Sequence, residues 1–178
     1  MQLTLIKLSK DIKIIKILIL FLVVSNSANA ESIEQKLKSF PIYTLGGTQY
    51  SFDKIDHELI LVNFWASWCL YCKEEFNSMF KLANEMNGKL SILAISVDEN
   101  RYDAMTYLKE IKFQSNQNPN VYFAIDQNRS LYQKIFKLKS IPTTLIIKTD
   151  KLSKHKTYLD KITGARDWQE MDISKYLN

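Results

Sequence analysis

Read for apolar and polar positions, the chain separates into unbroken apolar runs and stretches where apolar residues recur every three or four. The runs are 59–65 (LILVNFW), 89–97 (KLSILAISV) and 121–125 (VYFAI). Continuous runs of this length predict strands buried on both faces. Phe76, Met79, Phe80, Ala83 and Met86 fall at helical spacing, and Asn87-Gly88 follows as a C-cap signal. Tyr102, Met105, Leu108 and Ile111 predict a second helix, and Leu131, Ile135 and Phe136 a third. Ile33, Leu37 and Phe40 fit one face of a short leading helix that Pro41 stops. The segment 42–52 (IYTLGGTQYSF) predicts two short strands about a Gly46-Gly47 turn. The stretches 143–149 (TTLIIKT) and 155–163 (HKTYLDKIT) flank a turn at 150–154 and predict an antiparallel hairpin. Asp167 can cap a last helix with Glu170 as its capping partner, which would turn Trp168, Met171 and Leu177 inward.

The segment 59–97 is thus a strand, a helix and a strand, the signature of a parallel β-α-β unit. With the hairpins on either side, the pattern predicts an α/β fold with a mixed sheet covered by helices. No internal repeat, low-complexity tract or Pro/Gly-rich linker interrupts it.

The first 30 residues follow a different rule. Lys7, Lys10, Lys13 and Lys16 make a basic start, Ile17 to Val24 is unbroken apolar, and Ala28-Asn29-Ala30 is a small-x-small ending. This is the pattern of a secretory signal peptide over 1–30. A membrane span takes about 20 apolar residues, so an uncleaved signal anchor is the lesser alternative. The segment also carries much of the formal charge of +5; residues 31–178 keep 20 basic and 18 acidic side chains. That is an ordinary solvated surface with no basic stripe, and nucleic acid is not an expected partner. The remaining 31–178 is long enough for one domain with a full core.

The chain holds two cysteines, Cys69 and Cys72. Export would put them where disulfides persist, and three readings are open. A zinc site wants four ligands, usually as two pairs, and there is no second pair; His57 and His155 read as exposed loop residues. A structural bridge across so small a loop stabilises little in the chain-entropy view. The redox reading has a physical basis. Cys69 lies between a buried strand and a helix, where unpaired backbone N–H groups and the helix dipole favour a thiolate. Cys72 follows one turn later and can attack the Cys69 sulfur of a mixed disulfide. Trp65 and Trp68 flank the pair with aromatic surface.

The stretch 63–72 (NFWASWCLYC) resembles the active site of the thioredoxin superfamily, and 140–144 (SIPTT) resembles its cis-proline loop. The stretches 97–100 (VDEN) and 164–168 (GARDW), with the extra helix and strand at 101–125, resemble the exported TlpA/ResA-like branch. The resemblance spans nearly all of 40–178. It implies a thioredoxin-like three-layer α/β/α sandwich with a mixed central sheet and an N-terminal β-hairpin extension. It implies Cys69 as nucleophile and Cys72 as resolving thiol, with their disulfide as the redox group and no cofactor or metal. Pro142 would be the cis-proline facing them, and the backbone of Ile141 would pair with a client strand.

Three departures from thioredoxin matter. Asn63 stands where thioredoxin has a buried acid, with Ala94 near it where thioredoxin has a lysine. Glu75, which matches a glutamate of the TlpA/ResA-like branch, is then the candidate to handle the Cys72 proton, against the plainer reading of an exposed first-turn acid. The helix proline five residues after the second cysteine is Asn77. Leu70 and Tyr71 occupy the middle of the motif, and Tyr71 replaces a common proline with an additional N–H donor near the Cys69 sulfur.

The expected activity is that of a periplasmic thiol–disulfide oxidoreductase reducing disulfides of exported proteins. Branch members often serve cytochrome c or copper-oxidase maturation. Its partners would be exported protein thiols and disulfides and an upstream membrane electron donor, and the mature domain would be monomeric. A disulfide oxidase or isomerase is the alternative within the class; a non-catalytic metallochaperone is the alternative outside it. A copper-delivery protein of similar fold would want a wider cysteine spacing and a histidine near the cis-proline loop, and neither occurs.

Overall fold

Seven strands form one mixed sheet in the order β2-β1-β5-β4-β3-β6-β7. They are β1 (Ile42–Thr44), β2 (Gln49–Tyr50), β3 (Leu59–Trp65), β4 (Leu90–Ser96), β5 (Val121–Ile125), β6 (Thr143–Thr149) and β7 (Lys156–Thr163). The structure is a computed structural model that describes residues 33–177 apart from 40, 87, 115 and 116. The predicted signal segment 1–30 and the readings placed on Phe40 and Asn87 lie outside the described residues.

The continuous apolar runs became the centre of the sheet. Every residue of β3 and of β4 is buried. β3 runs parallel to β4, and β4 parallel to β5. β6 and β7 continue the sheet antiparallel on the far side of β3. The β1–β2 hairpin adds to the other edge through antiparallel pairing of β1 with β5. Its turn needs Gly47, whose φ of 87° is a backbone state that a side chain would strain.

Three α-helices are described: α1 (Ile33–Ser39), α2 (Leu70–Glu85) and α3 (Arg101–Glu110). Strand alternation assigns the layers. Asn63 and Trp65 share one face of β3, and there Trp65 meets Phe76 of α2 at 4.9 Å between ring centroids and Tyr107 of α3 at 5.6 Å. Phe64 points the other way, to Tyr132 and Phe136. Helical elements therefore cover both faces, which makes the sandwich three-layered. Tyr132 belongs to a π-helical segment, Ser130–Ile135, where the sequence predicts a third helix. The buried Asp126 carboxylate accepts the Tyr132 N–H at 2.8 Å and anchors its start.

The C-terminal segment departs from expectation. No helix starts at Asp167; after it, the described residues form one 3-10 turn, Ser174–Tyr176. The Asp167 carboxylate accepts the Gln169 N–H at 2.9 Å, as a cap would. The next residue is placed by packing instead. The Trp168 ring is fully buried, and its backbone N–H, which would have no partner inside a helix, binds Ser78 Oγ on α2 at 3.1 Å. Burying an indole against α2 outweighs a local capping preference of about 1 kcal/mol. His57 also differs from expectation: it is half-buried, with Nε2 bonded to Asn120 Oδ1 at 3.1 Å.

Candidate active site

The turn between β3 and α2 is built from three bonded pieces. The Val97 N–H holds the Trp65 carbonyl at 2.8 Å as β3 ends. Asp98, buried just past β4, then takes hold of the turn. Its carboxylate accepts the Ser67 N–H at 3.0 and 3.2 Å, Ser67 Oγ at 2.9 Å and Ser96 Oγ at 2.7 Å. Cys69 follows as the N-cap of α2, and its sulfur accepts the Cys72 N–H at 3.2 Å. No acidic residue lies in the first turn of α2 to offset the positive helix end.

Cys69 and Cys72 are joined as a disulfide. Their environments differ. Cys69 retains 7% of its surface and Cys72 none. Around Cys69 stand Trp68, Leu70 and Tyr71, which are 63%, 65% and 66% exposed. Large apolar side chains left in water mark a contact surface. The donor to the Cys69 sulfur is the Cys72 N–H rather than the Tyr71 N–H that the sequence suggested, and Tyr71 presents its side chain to solvent. The Ile141–Pro142 peptide is cis, Pro142 is buried and Ile141 half-buried. The Pro142 carbonyl accepts the Gly164 N–H at 2.9 Å.

Glu75 is not an exposed first-turn acid. It is 2% exposed, on the α2 face that packs toward the sheet. Asn63 Nδ2 donates to Glu75 Oε1 at 2.8 Å and to Thr144 Oγ1 at 2.9 Å. Trp168 Nε1 donates to Glu75 Oε2 at 3.2 Å. Burial pushes the carboxyl up to about 7, against the Asn63, Trp168 and Arg166 backbone hydrogen bonds and the Arg166 charge, which pull it down. Asn63 Oδ1 is buried without a partner. A groove of about 480 Å³ runs past this carboxyl, with Tyr71, Glu74, Ser78, Arg166 and Gln169 in its walls.

The fold thus brings Asn63, Glu75, Thr144 and Trp168 together behind the cysteine turn. Thr144 and Asp98 were missed as site residues. Thr144 follows the Pro142 loop and Asp98 follows a buried strand, so their positions were visible while their bonds were not. Trp168 was expected to face inward, without a partner. His57 and His155 lie apart from the pair, and among the described residues no group of three or more His, Cys, Asp or Glu is placed to hold a metal.

The Redoxin family model matches residues 30–171. The thioredoxin-like protein YneN of Bacillus subtilis is 36% identical over 62 residues, 35% of this chain and 36% of YneN. A Staphylococcus epidermidis thioredoxin is 43% identical over 61 residues, 34% of this chain and 59% of the relative. The match therefore spans less than two thirds of either relative. The crystal structure of a thiol:disulfide interchange protein DsbE from Chlorobium tepidum superposes with a TM-score of 0.60 at 19% identity, covering 78% of this chain and 89% of that one. The fold is thioredoxin-like. Among the described residues, no helix is long and apolar enough to cross a membrane.

Proposed function

The chain belongs to the Redoxin family, and from that premise we propose that it is an exported thiol–disulfide oxidoreductase working through the Cys69–Cys72 pair. The observation that carries the reading is the asymmetry of that disulfide: Cys69 keeps 7% of its surface at a helix N-terminus amid exposed apolar side chains, and Cys72 is fully buried. A structural bridge has no need of that arrangement. The Chlorobium tepidum protein DsbE is named for thiol:disulfide interchange, and the reading extends that chemistry to this chain.

In the reducing direction, the Cys69 thiolate attacks one sulfur of a client disulfide. The client S–S bond breaks, a client thiolate leaves, and Cys69 is left in a mixed disulfide. Cys72 then gives its proton to the Glu75 carboxylate, and its sulfur attacks Cys69 Sγ. The second client thiolate leaves and the Cys69–Cys72 disulfide closes. The client gains two electrons from the pair, and its two thiolates take up two protons, one by way of Glu75 and one from the solvent to which Cys69 had released its own. A membrane dithiol donor restores the pair, and no further cofactor takes part. Trp68, Leu70 and Tyr71 hold the client, whose backbone pairs beside Ile141. Disulfides of exported proteins, including apoproteins awaiting haem or copper, are the client class.

Insulin reduction with dithiothreitol as electron source tests the activity. Wild-type protein should accelerate it, and Cys69→Ser should abolish the acceleration; equal rates would overturn the reading. The redox state of Cys69 in cells tests the direction. A mostly reduced pair fits a reductase, and a mostly oxidised one would favour an oxidase, toward which the Leu70-Tyr71 centre leans.

A further inference from the structure

Both oxygens of Glu75 face donors, and the two donors differ. At Oε1 stands the Asn63 amide, which can turn over and offer an oxygen instead while the Thr144 hydroxyl that accepts from Nδ2 reverses to donate; Oδ1 has no partner to lose. At Oε2 stands the Trp168 indole, which is a donor in every orientation. The indole is also the better fixed of the two. The Trp168 backbone N–H binds Ser78 Oγ at 3.1 Å, and Ser78 Oγ in turn donates to the Glu75 carbonyl at 2.9 Å. Four residues earlier, the Gly164 N–H is tied to the Pro142 carbonyl. The irregular segment 164–168 is therefore moored at both ends, to the cis-proline loop and to the helix that carries Cys72.

We propose that Trp168 is a positioning residue for the proton acceptor: its indole N–H holds Glu75 Oε2 as an acceptor and leaves Oε1, on the Asn63 side, to receive the Cys72 proton. This rests on the reading of Glu75 given above. The other charged or titratable groups around Glu75 are Tyr71, Glu74 and Lys81 on α2, with Cys72 one turn before it, and Arg166 and Asp167 on the 164–168 segment. The strands contribute only the uncharged Asn63 and Thr144. Of these, Arg166 and its backbone N–H favour the carboxylate, as Trp168 does.

The test separates the two thiol steps. Reduced protein is mixed with the aromatic disulfide 5,5′-dithiobis(2-nitrobenzoate). Cys69 attacks first and releases one thionitrobenzoate. Cys72 then displaces the second from Cys69, closing the protein disulfide. Each release is followed by absorbance between pH 5 and 9. Trp168→Phe keeps an aromatic ring and removes the N–H. Without it the carboxylate is harder to form, so the midpoint of the second phase should move to higher pH. Below the midpoint the second phase should slow by about tenfold, the effect of losing a hydrogen bond to a charged group. The pH profile of the first phase should stay in place.

A second-phase midpoint unchanged in Trp168→Phe would overturn the inference. If that variant does not fold, benzothienylalanine at 168, which has the indole shape without the N–H, carries the same comparison. Glu75→Gln distinguishes the two levels of the argument. If it loses the pH step while Trp168→Phe keeps the wild-type midpoint, only the role of Trp168 falls. If Glu75→Gln keeps the step, the proton-acceptor reading falls and this inference with it.

Discussion

Asp98 and Glu75 are two buried carboxylates that serve the same turn from different sides. Asp98 collects its donors from the turn and the strand end beside it: the Ser67 N–H, the Ser67 hydroxyl and the Ser96 hydroxyl. Glu75 collects Asn63 from β3 and Trp168 from the C-terminal segment. The first set is local and fixes the backbone that leads into Cys69. The second is assembled from distant parts of the chain and does not fully offset burial, so that Glu75 sits near neutral pH. Two buried carboxylates thus do different structural work. Donors drawn from one turn fix that turn, and donors gathered from distant segments tie those segments to α2 around a carboxyl that burial raises to about 7.

Removing each carboxylate should separate these uses. The largest effect is expected for Asp98→Ala, which leaves the Ser67 N–H and two hydroxyls without their acceptor. A loss of about 3–4 kcal/mol is expected in urea unfolding, with slower attack by Cys69. A loss near zero would break the comparison by showing that the turn holds itself.

Glu75→Gln should act in the opposite direction at neutral pH. Burial raises the folded-state carboxyl from 4.5 to about 7, so between those values the folded chain binds more protons than the unfolded one. Stability contributed by this group is greatest below pH 4.5, falls as pH rises toward 7, and is flat beyond. The charged form costs up to about 3 kcal/mol above pH 7. Glu75→Gln should remove that slope, so that the variant gains on the wild type most at pH 8 and least at pH 5. Identical slopes in unfolding measured across this range would contradict the assignment.

The smallest effect is expected at the exposed centre of the motif, where neither carboxylate reaches. The Cys69 sulfur takes its hydrogen bond from the Cys72 N–H, so removing the Tyr71 N–H in Tyr71→Pro should shift the reduction potential by less than about 30 mV, a factor of ten in the redox equilibrium. A glutathione or dithiothreitol redox titration measures it, and a larger shift would show that Tyr71 tunes the sulfur by another route. The pH step assigned to Glu75 should be the same in wild type and Tyr71→Pro.

Much of the fold was legible because strand burial leaves a plain trace. The runs at 59–65 and 121–125 match β3 and β5 at both ends, and the 89–97 run contains β4. The α2 pattern was as clear, since one face packs on one sheet. The last segment was not legible. Asp167 and Glu170 give a good local signal for a helix start, and burial of the Trp168 ring against distant parts of the chain outweighs it. Glu75 was ambiguous for a related reason: an acid in the early turns of a helix looks the same whether it meets water or an indole.

The sequence alone determined the buried strands and the place of the cysteine pair at a helix start, through periodicity and short spacing that act over a few residues. The candidacy of Asn63, Glu75 and Pro142 came from the resemblance to the thioredoxin superfamily and its TlpA/ResA-like branch. Tertiary structure decided what those residues are bonded to. Glu75 depends on Asn63, 12 residues before it, and on Trp168, 93 residues after it. The proton affinity of Glu75 is raised by burial and moderated by its donors, and both the burial and the donors are brought about by folding rather than by sequence neighbourhood.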